Sequence, residues 1–213
     1  CSVPRFWEKV YDGVMDRIEK SSPVQKSLLL EALRVGHEYN VDYKMKGMTP
    51  PMGLRMQYSL YESTIIAFLK KQLGLERANF FPTAGAAVPP KVEDFVRSAG
   101  LRMVVGYGLT ESTATVSIDH LDKKTSLGSV GRILDGVEVS FGENNEILLR
   151  GDTITKGYYR KAEVTERCID ADGWFHTGDA GYIKDGELFL TDRIKDMFKT
   201  SNGKYIAPQL IES

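Results

Sequence analysis

Apolar residues recur at helical spacing near the start of the chain. Four of them repeat every fourth residue and therefore share one face of a helix, namely Phe6, Val10, Val14 and Ile18. Pro4 precedes this run and suits the first turn of a helix. Two further helices are predicted over residues 24–38 and 58–72, the second ending before Gly74. In the first of these two we expect three leucines to be buried, Leu28, Leu29 and Leu33.

The interval 40–57 lacks this periodicity and is predicted to be irregular. It carries four methionines around Pro50, Pro51 and Gly53, namely Met45, Met48, Met52 and Met56. Methionine is flexible and polarizable, so one interpretation is an adaptable contact for an acyl chain or a membrane. The interpretation we favour is a loop packed on the domain surface.

The next segment alternates strand and helix. Residues 78–82 and 101–105 have the composition of buried strands, and Pro89 and Pro90 open a helix that runs to about Ser98. A strand–helix–strand order predicts a parallel α/β layer.

After Thr115 the apolar period changes from helical to two. Val137, Val139 and Phe141 alternate with polar residues, and residues 143–145 then turn the chain into 146–150. Asp185-Gly186 is a strong hairpin signal because both residues accept positive φ. We therefore predict an α/β fold in which a partial parallel subdomain is followed by a β-rich, barrel-like one. The expected division from these patterns is 1–118 for the α/β part and 119–191 for the β-rich part.

Composition and charge argue against several classes of protein. The chain has 213 residues, a net charge of −1, 42% apolar and 27% charged residues, so bulk charge does not favour nucleic acid. Cys1 and Cys168 form no CxxC pair, which argues against a zinc site or a disulfide framework and favours a reducing, cytoplasmic setting. No apolar run is long enough to span a bilayer, and no signal peptide is recognisable. The chain opens on Cys1 and not on methionine, which we interpret as a boundary within a longer protein.

The most informative stretch for chemistry is residues 106–112, GYGLTES, directly after a predicted strand. Glycines let the backbone approach a ligand, Tyr107 can stack on a base, and the Thr110 hydroxyl can bond a phosphate oxygen. Glu111 can hold Mg²⁺, a cation that takes carboxylate and phosphate oxygens. Taken alone, a glycine-rich loop is weak evidence, and Thr110 with Glu111 can equally cap a helix.

Two later sequence motifs strengthen the functional interpretation of this loop, WFHTGD at 174–179 and DRIKD at 192–196. In this order the three strings resemble the adenylate-forming, AMP-binding superfamily of acyl-CoA synthetases, luciferases and peptide-synthetase adenylation domains. Val3-Pro4-Arg5 with WEKVY at 7–11 resembles the long-chain fatty-acid–CoA ligase branch in particular. Supporting matches lie at 85–87, 128–131, 146–151, 157–159 and 199–212.

The resemblance implies a role for each matched residue. Gly85, Ala86 and Ala87 would line the adenine and acyl side of the pocket. Tyr107 would stack on adenine, beside Gly108. Thr110 would contact the α-phosphate and Glu111 would bind Mg²⁺, which makes these two the candidate catalytic residues. Asp179 and Arg193 would contact the ribose. Lys195 would be the hinge residue, within a segment 192–213 that forms the hinge and the start of a further domain. His176 is interpreted as motif filler near the site and not as a general base.

The implied reaction has two halves. A fatty acid and ATP would give an acyl-adenylate and pyrophosphate with the aid of Mg²⁺, and the thiol of coenzyme A would then take the acyl group and release AMP. The family's Ser/Thr/Gly-rich phosphate loop and its distal catalytic lysine are not in this sequence, so we expect the 213-residue chain alone to be inactive. Transfer to an acyl carrier protein, or a non-catalytic nucleotide-binding role, stays open. Peripheral membrane contact and self-association also stay open.

Overall fold

In the computed structural model, residues 2–120 and 123–194 are described, together with two short strands at 198–199 and 205–206. The proposed hinge residue Lys195 lies outside the described residues. The chain divides into two compact units, one formed by Cys1–Val105 with Asp119–Gly128 and the other by Gly106–Ile118 with Ser129–Ser213. The expected three-part division stays a prediction.

The first unit is mainly helical. Its helices are α1 (Pro4–Lys20), α2 (Pro23–His37), α3 (Met52–Tyr61), α4 (Ala67–Gln72) and α5 (Pro90–Ser98). Two π-helical segments continue α2 and α3, Glu38–Lys44 and Glu62–Ile66. The irregular interval predicted over 40–57 is therefore wrong at both ends, and the third helix begins earlier than expected. Of the described helices, none combines the length and the apolar character that crossing a bilayer requires.

The buried face of α2 differs from the prediction. Leu28 is 46% exposed, and Leu29 and Leu33 are only partly buried. The residues buried instead are small, because α2 approaches α5 so closely that a Cβ on Gly36 would overlap the carbonyl oxygen of Ser98. The face of α2 that packs against α5 is therefore the one whose small residues allow the two backbones to approach, and not the one with the largest side chains.

The helix α1 is confirmed, but its packed stripe is shifted. Phe6 is 43% exposed, whereas Trp7 is fully buried together with Val14 and Ile18. The indole Nε1 of Trp7 donates to Oγ1 of Thr83 at 2.9 Å. Because its one polar atom has this buried hydrogen-bond partner, the larger Trp7 ring can occupy the core in place of Phe6.

A parallel strand pairing in this unit confirms the predicted α/β layer. Strand β1 (Phe81–Thr83) pairs in parallel with β2 (Met103–Tyr107), with Phe81 opposite Met103. The strand predicted at 78–82 is wrong in position and burial, since Phe80 is 50% exposed and the pairing starts only at Phe81.

Three buried charged side chains lie beside these strands and form what we call the charge triad, Glu93, Arg97 and Asp119. Arg97 donates to Glu93 Oε1 at 2.7 Å and to Asp119 Oδ2 at 2.8 Å, and the two carboxylates are only 1% and 3% exposed. The other Glu93 oxygen accepts the Gly128 N–H at 2.8 Å, and the Asp119 N–H donates to the carbonyl of Val105 at 2.8 Å. The triad thus ties segment Asp119–Gly128 to α5 and β2.

The second unit is β-rich, as predicted. Its main sheet is antiparallel in the order β5 (Val137–Phe141), β6 (Glu146–Gly151), β7 (Phe175–Lys184), β8 (Glu187–Arg193). Asp185 and Gly186 turn β7 into β8 with φ of 53° and 78°, so the predicted hairpin is confirmed. The smaller elements are β3 (Ser117–Ile118), β4 (Arg132–Ile133), α6 (Ala162–Cys168), β9 (Phe198–Lys199) and β10 (Tyr205–Ile206).

Candidate functional site

The glycine-rich loop starts where β2 ends. A Cβ on Gly108 would overlap the carbonyl oxygen of Ala114, so this close turn requires glycine. Thr110–Ser112 then form one turn of 3₁₀ helix, and the Leu109 N–H donates to Ser112 Oγ at 2.9 Å. A helical turn is thus present, but its N-cap is Leu109 and neither Thr110 nor Glu111 caps it. The Thr110 side chain is exposed.

Tyr107 and Asp179 meet although they are 72 residues apart. The Tyr107 hydroxyl donates to Asp179 Oδ2 at 2.8 Å, and both residues are buried. Burial, and then the neighbouring Asp179 charge, raise the pKa of the Tyr107 hydroxyl well above its ordinary value. Arg193 lies opposite Asp179 in the β7–β8 ladder, and its Nε is 3.4 Å from Asp179 Oδ1. One carboxylate thus faces a phenol and a guanidinium.

A β-bulge places Asp179. Ala180 pairs with Glu146 and His176 pairs with Leu148, so three residues of β7 lie opposite the single residue Ile147 of β6. Gly178, in the middle of the bulge, has a φ of +73°, which favours glycine. Bulges of this kind redirect a side chain at a sheet position, here that of Asp179.

Hydrogen bonds within the bulge replace the interrupted ladder. The Thr177 hydroxyl donates to the Ile147 carbonyl at 2.7 Å, and the Asp179 N–H donates to Thr177 Oγ1 at 3.1 Å. The Gly178 N–H donates to Glu146 Oε1 at 2.9 Å. The other Glu146 oxygen lies 2.9 Å from Nδ1 of His176. Neither Glu146 nor His176 has a role that is recognisable from the sequence, yet both hold this segment.

Glu111 is held by a second group of contacts in the same unit. Its carbonyl oxygen accepts the Thr155 N–H at 2.7 Å, and its carboxylate Oε1 accepts the Tyr158 hydroxyl at 2.7 Å. The hydrogen bond to Glu111 raises the pKa of Tyr158 to about 12. Tyr158 lies in the GYY stretch at 157–159, which matches the family in sequence, but that match does not imply a contact with Glu111.

Glu111 has the chemistry that a bound Mg²⁺ requires. Among the described residues, no group of three His, Cys, Asp or Glu side chains could hold a metal by itself. Mg²⁺ in nucleotide sites is often bound by one or two carboxylates with water and substrate phosphates. The Tyr158 hydroxyl occupies only one of the two Glu111 oxygens, so a single-carboxylate site is compatible with this arrangement.

The predicted site residues therefore fall into three sets. Tyr107, Asp179 and Arg193 are brought together, and Gly108, Thr110 and Glu111 follow Tyr107 in the same loop. Residues 85–87 are exposed in the turn after β1 and belong to the first unit, with Gly85 at a φ of 95°. Lys195 is not described.

Comparison with known proteins identifies the family. The family model for AMP-binding enzymes matches residues 1–159. Peroxisomal long chain acyl-CoA synthetase 7 of Arabidopsis thaliana is 32% identical, and the match covers 100% of this chain and 31% of that protein. The Mycobacterium bovis long-chain-fatty-acid–CoA ligase FadD15 is 29% identical, over 99% of this chain and 34% of that protein. The chain thus spans about a third of the length of these relatives.

Solved structures give the same assignment. ATP-bound MatB from Rhodopseudomonas palustris matches with a TM-score of 0.58 and 28% identity, over 67% of this chain and 30% of MatB. The Bacillus subtilis o-succinylbenzoate coenzyme A synthetase in complex with ATP and magnesium matches with a TM-score of 0.55 and 25% identity, over 68% and 34%. The expected fold class is confirmed by these neighbours, and the chain belongs to the family of AMP-binding, adenylate-forming enzymes.

Proposed function

We propose that the chain is part of an ATP-dependent long-chain fatty-acid–CoA ligase and supplies the nucleoside side of its ATP site. The observation that carries this proposal is the hydrogen bond between Tyr107 and Asp179, which joins two motifs 72 residues apart. A carboxylate has two acceptor oxygens and suits the two ribose hydroxyls of AMP. Arg193, on the neighbouring strand, completes the ribose contact in this proposal.

The loop after Tyr107 would bind the phosphates. Thr110 is exposed and would contact an α-phosphate oxygen, and Glu111 would hold a Mg²⁺ ion. When bound, Mg²⁺ would stabilise the charge that develops as the fatty-acid carboxylate attacks the α-phosphorus of ATP and pyrophosphate leaves. Residues 85–87 keep their proposed role at the adenine and acyl side.

The substrates follow from the names of the relatives, which include long-chain acyl-CoA synthetases. Fatty acid, ATP and coenzyme A are therefore the proposed substrates, and an acyl-adenylate is the proposed intermediate. A cytoplasmic location stays a prediction, since the names of relatives include a peroxisomal and a chloroplastic protein. Membrane contact and self-association stay predictions as well.

Asp179→Ala in the full-length protein tests the nucleotide site. Two hydrogen bonds to a charged acceptor would be lost, each contributing roughly 1.5–3 kcal/mol, so affinity for AMP should fall at least about tenfold. Isothermal titration calorimetry measures this directly. Asp152→Ala, which changes an exposed aspartate just after β6, is the matched control and should bind AMP like the wild type. Unchanged AMP affinity in Asp179→Ala would exclude the ribose role.

The two half-reactions test the enzyme class. Fatty-acid-dependent exchange of labelled pyrophosphate into ATP by the full-length protein should be robust, and the 213-residue chain alone should show none. Removal of one preorganised charge-stabilising group typically costs about 10²–10³ in rate, and the resemblance implies that two are absent from this chain.

The acyl acceptor is identified by its product, with acyl-CoA supporting the proposal and an acyl carrier protein conjugate supporting the alternative. Nucleotide binding without any exchange by the full-length protein would leave only the non-catalytic role.

A further inference from the structure

The three-residue bulge at Thr177, Gly178 and Asp179 depends on one side chain from the neighbouring strand. Between the pairs Glu146–Ala180 and Leu148–His176, the regular β6–β7 ladder is interrupted. The Gly178 N–H donates instead to Glu146 Oε1 at 2.9 Å. Gly178 is partly buried, and an N–H that is shielded from water is costly to leave unpaired, so the carboxylate stabilises the conformation that the bulge requires.

Glu146 is itself held in place. Its side chain is only 18% exposed, and its second oxygen lies 2.9 Å from His176 Nδ1. An ionised carboxylate can only accept, so Nδ1 of His176 carries the donated hydrogen. His176 Nε2 lies 3.7 Å from Asp170 Oδ2, which places the imidazole between two carboxylates. Glu146 thus binds the residues on either side of Thr177 at fixed distances.

We infer that Glu146 is a positioning residue for Asp179. It fixes the backbone one residue before Asp179, and so sets the direction in which that carboxylate meets the Tyr107 hydroxyl and the ribose. The inference rests on the proposed ribose-binding role of Asp179. Residues that orient a binding group are often as necessary as the group itself, because a small displacement loses the hydrogen bond.

The substitution Glu146→Ala in the full-length protein tests this inference with two ligands. AMP should bind about tenfold more weakly, the effect of one misplaced charge-assisted hydrogen bond. Binding of 2′,3′-dideoxyadenosine monophosphate should change less than about twofold, because that ligand lacks the hydroxyls that Asp179 would bind. A purely structural role would weaken both ligands equally, and that result would overturn the inference.

Further variants make the result decisive. Glu146→Gln retains an acceptor for the Gly178 N–H and should recover most of the AMP affinity. If Glu146→Ala does not fold, Glu146→Asp replaces it, because the shorter side chain keeps the charge but does not reach Gly178. Glu138→Ala removes an exposed glutamate of the same sheet, paired with Arg150 at 2.6 Å, and should leave both ligands unaffected.

Asp179→Ala separates the two proposals. If it weakens AMP while Glu146→Ala does not, Glu146 does not position Asp179 and the inference is wrong, although the nucleotide site stands. If Asp179→Ala has no effect, the proposed ribose role fails and the inference fails with it.

Discussion

Removal of the Arg97 guanidinium should be among the most destabilising single changes in this protein. The substitution Arg97→Met keeps much of the side-chain volume but leaves Glu93 and Asp119 without the cation that contacts both of them, at 2.7 and 2.8 Å. Both carboxylates are almost completely buried. Loss of one partner from a buried ion pair typically costs about 3–5 kcal/mol, a large part of the roughly 5–15 kcal/mol that stabilises a typical domain.

Urea unfolding of the full-length protein, followed by circular dichroism, measures the loss as a lower midpoint. Arg34→Met is the matched control, since Arg34 bonds Glu31 at the same 2.7 Å but on an exposed helix face, where little loss is expected. Replacing Glu93 by Gln and Asp119 by Asn in the Arg97→Met background removes both uncompensated charges. That triple variant should recover much of the lost stability.

The same variant has a defined pH dependence. Burial already raises the pKa of Glu93 above its ordinary 4.5, against the opposing effect of Arg97, and removal of Arg97 should raise it further. The folded state then binds a proton that the unfolded state releases, so the penalty of Arg97→Met should shrink as the pH falls towards 4.5. A midpoint for Arg97→Met equal to that of Arg34→Met, at every pH, would refute the reasoning.

Two further experiments test the loop after β2 and its contacts. Gly108→Ala should reduce both the stability and the AMP affinity of the full-length protein, because the new Cβ would displace the Ala114 carbonyl. Urea unfolding and calorimetry measure the two effects. The control is Gly53→Ala, in α3 with open space around it, which should be neutral or stabilising by about 0.5–1 kcal/mol. Tyr158→Phe and Glu111→Gln should be coupled by about 0.5–1 kcal/mol in a double-mutant cycle, the share of a charge-assisted hydrogen bond expected at a partly exposed site. Additive effects of these two substitutions would mean that the Tyr158–Glu111 contact does not contribute to stability.

Sequence reasoning succeeds here where local chemistry determines the structure. The α5 helix follows from Pro90, and the β7–β8 turn follows from Asp185 and Gly186, because each signal acts within a few residues. It fails for the packed face of α2, because the close contact between Gly36 and Ser98 depends on how two distant helices meet.

The candidate site divides in the same way. The resemblance implies that Tyr107 and Asp179 belong to one nucleotide site, and in the structure their side chains are in direct contact. The contact between Glu146 and the Gly178 N–H could not be read from the sequence, since a bulge shifts the strand register and a backbone donor leaves no residue signature. The contact of His176 is hidden in the sequence for a related reason, because its carboxylate partner Glu146 lies 30 residues away.

The charge triad also bears on the order in which the protein folds during synthesis. Glu93 and Arg97 are one helical turn apart and can pair as soon as α5 forms, whereas Asp119 lies 22 residues after Arg97. At about 5–20 residues per second, a ribosome supplies Asp119 roughly 1–4 seconds later. During that interval the nascent first unit lacks the second carboxylate and the segment that carries it. The hydrogen bond from Asp119 to Val105 in β2 can thus form only after the whole of the glycine-rich loop has been translated.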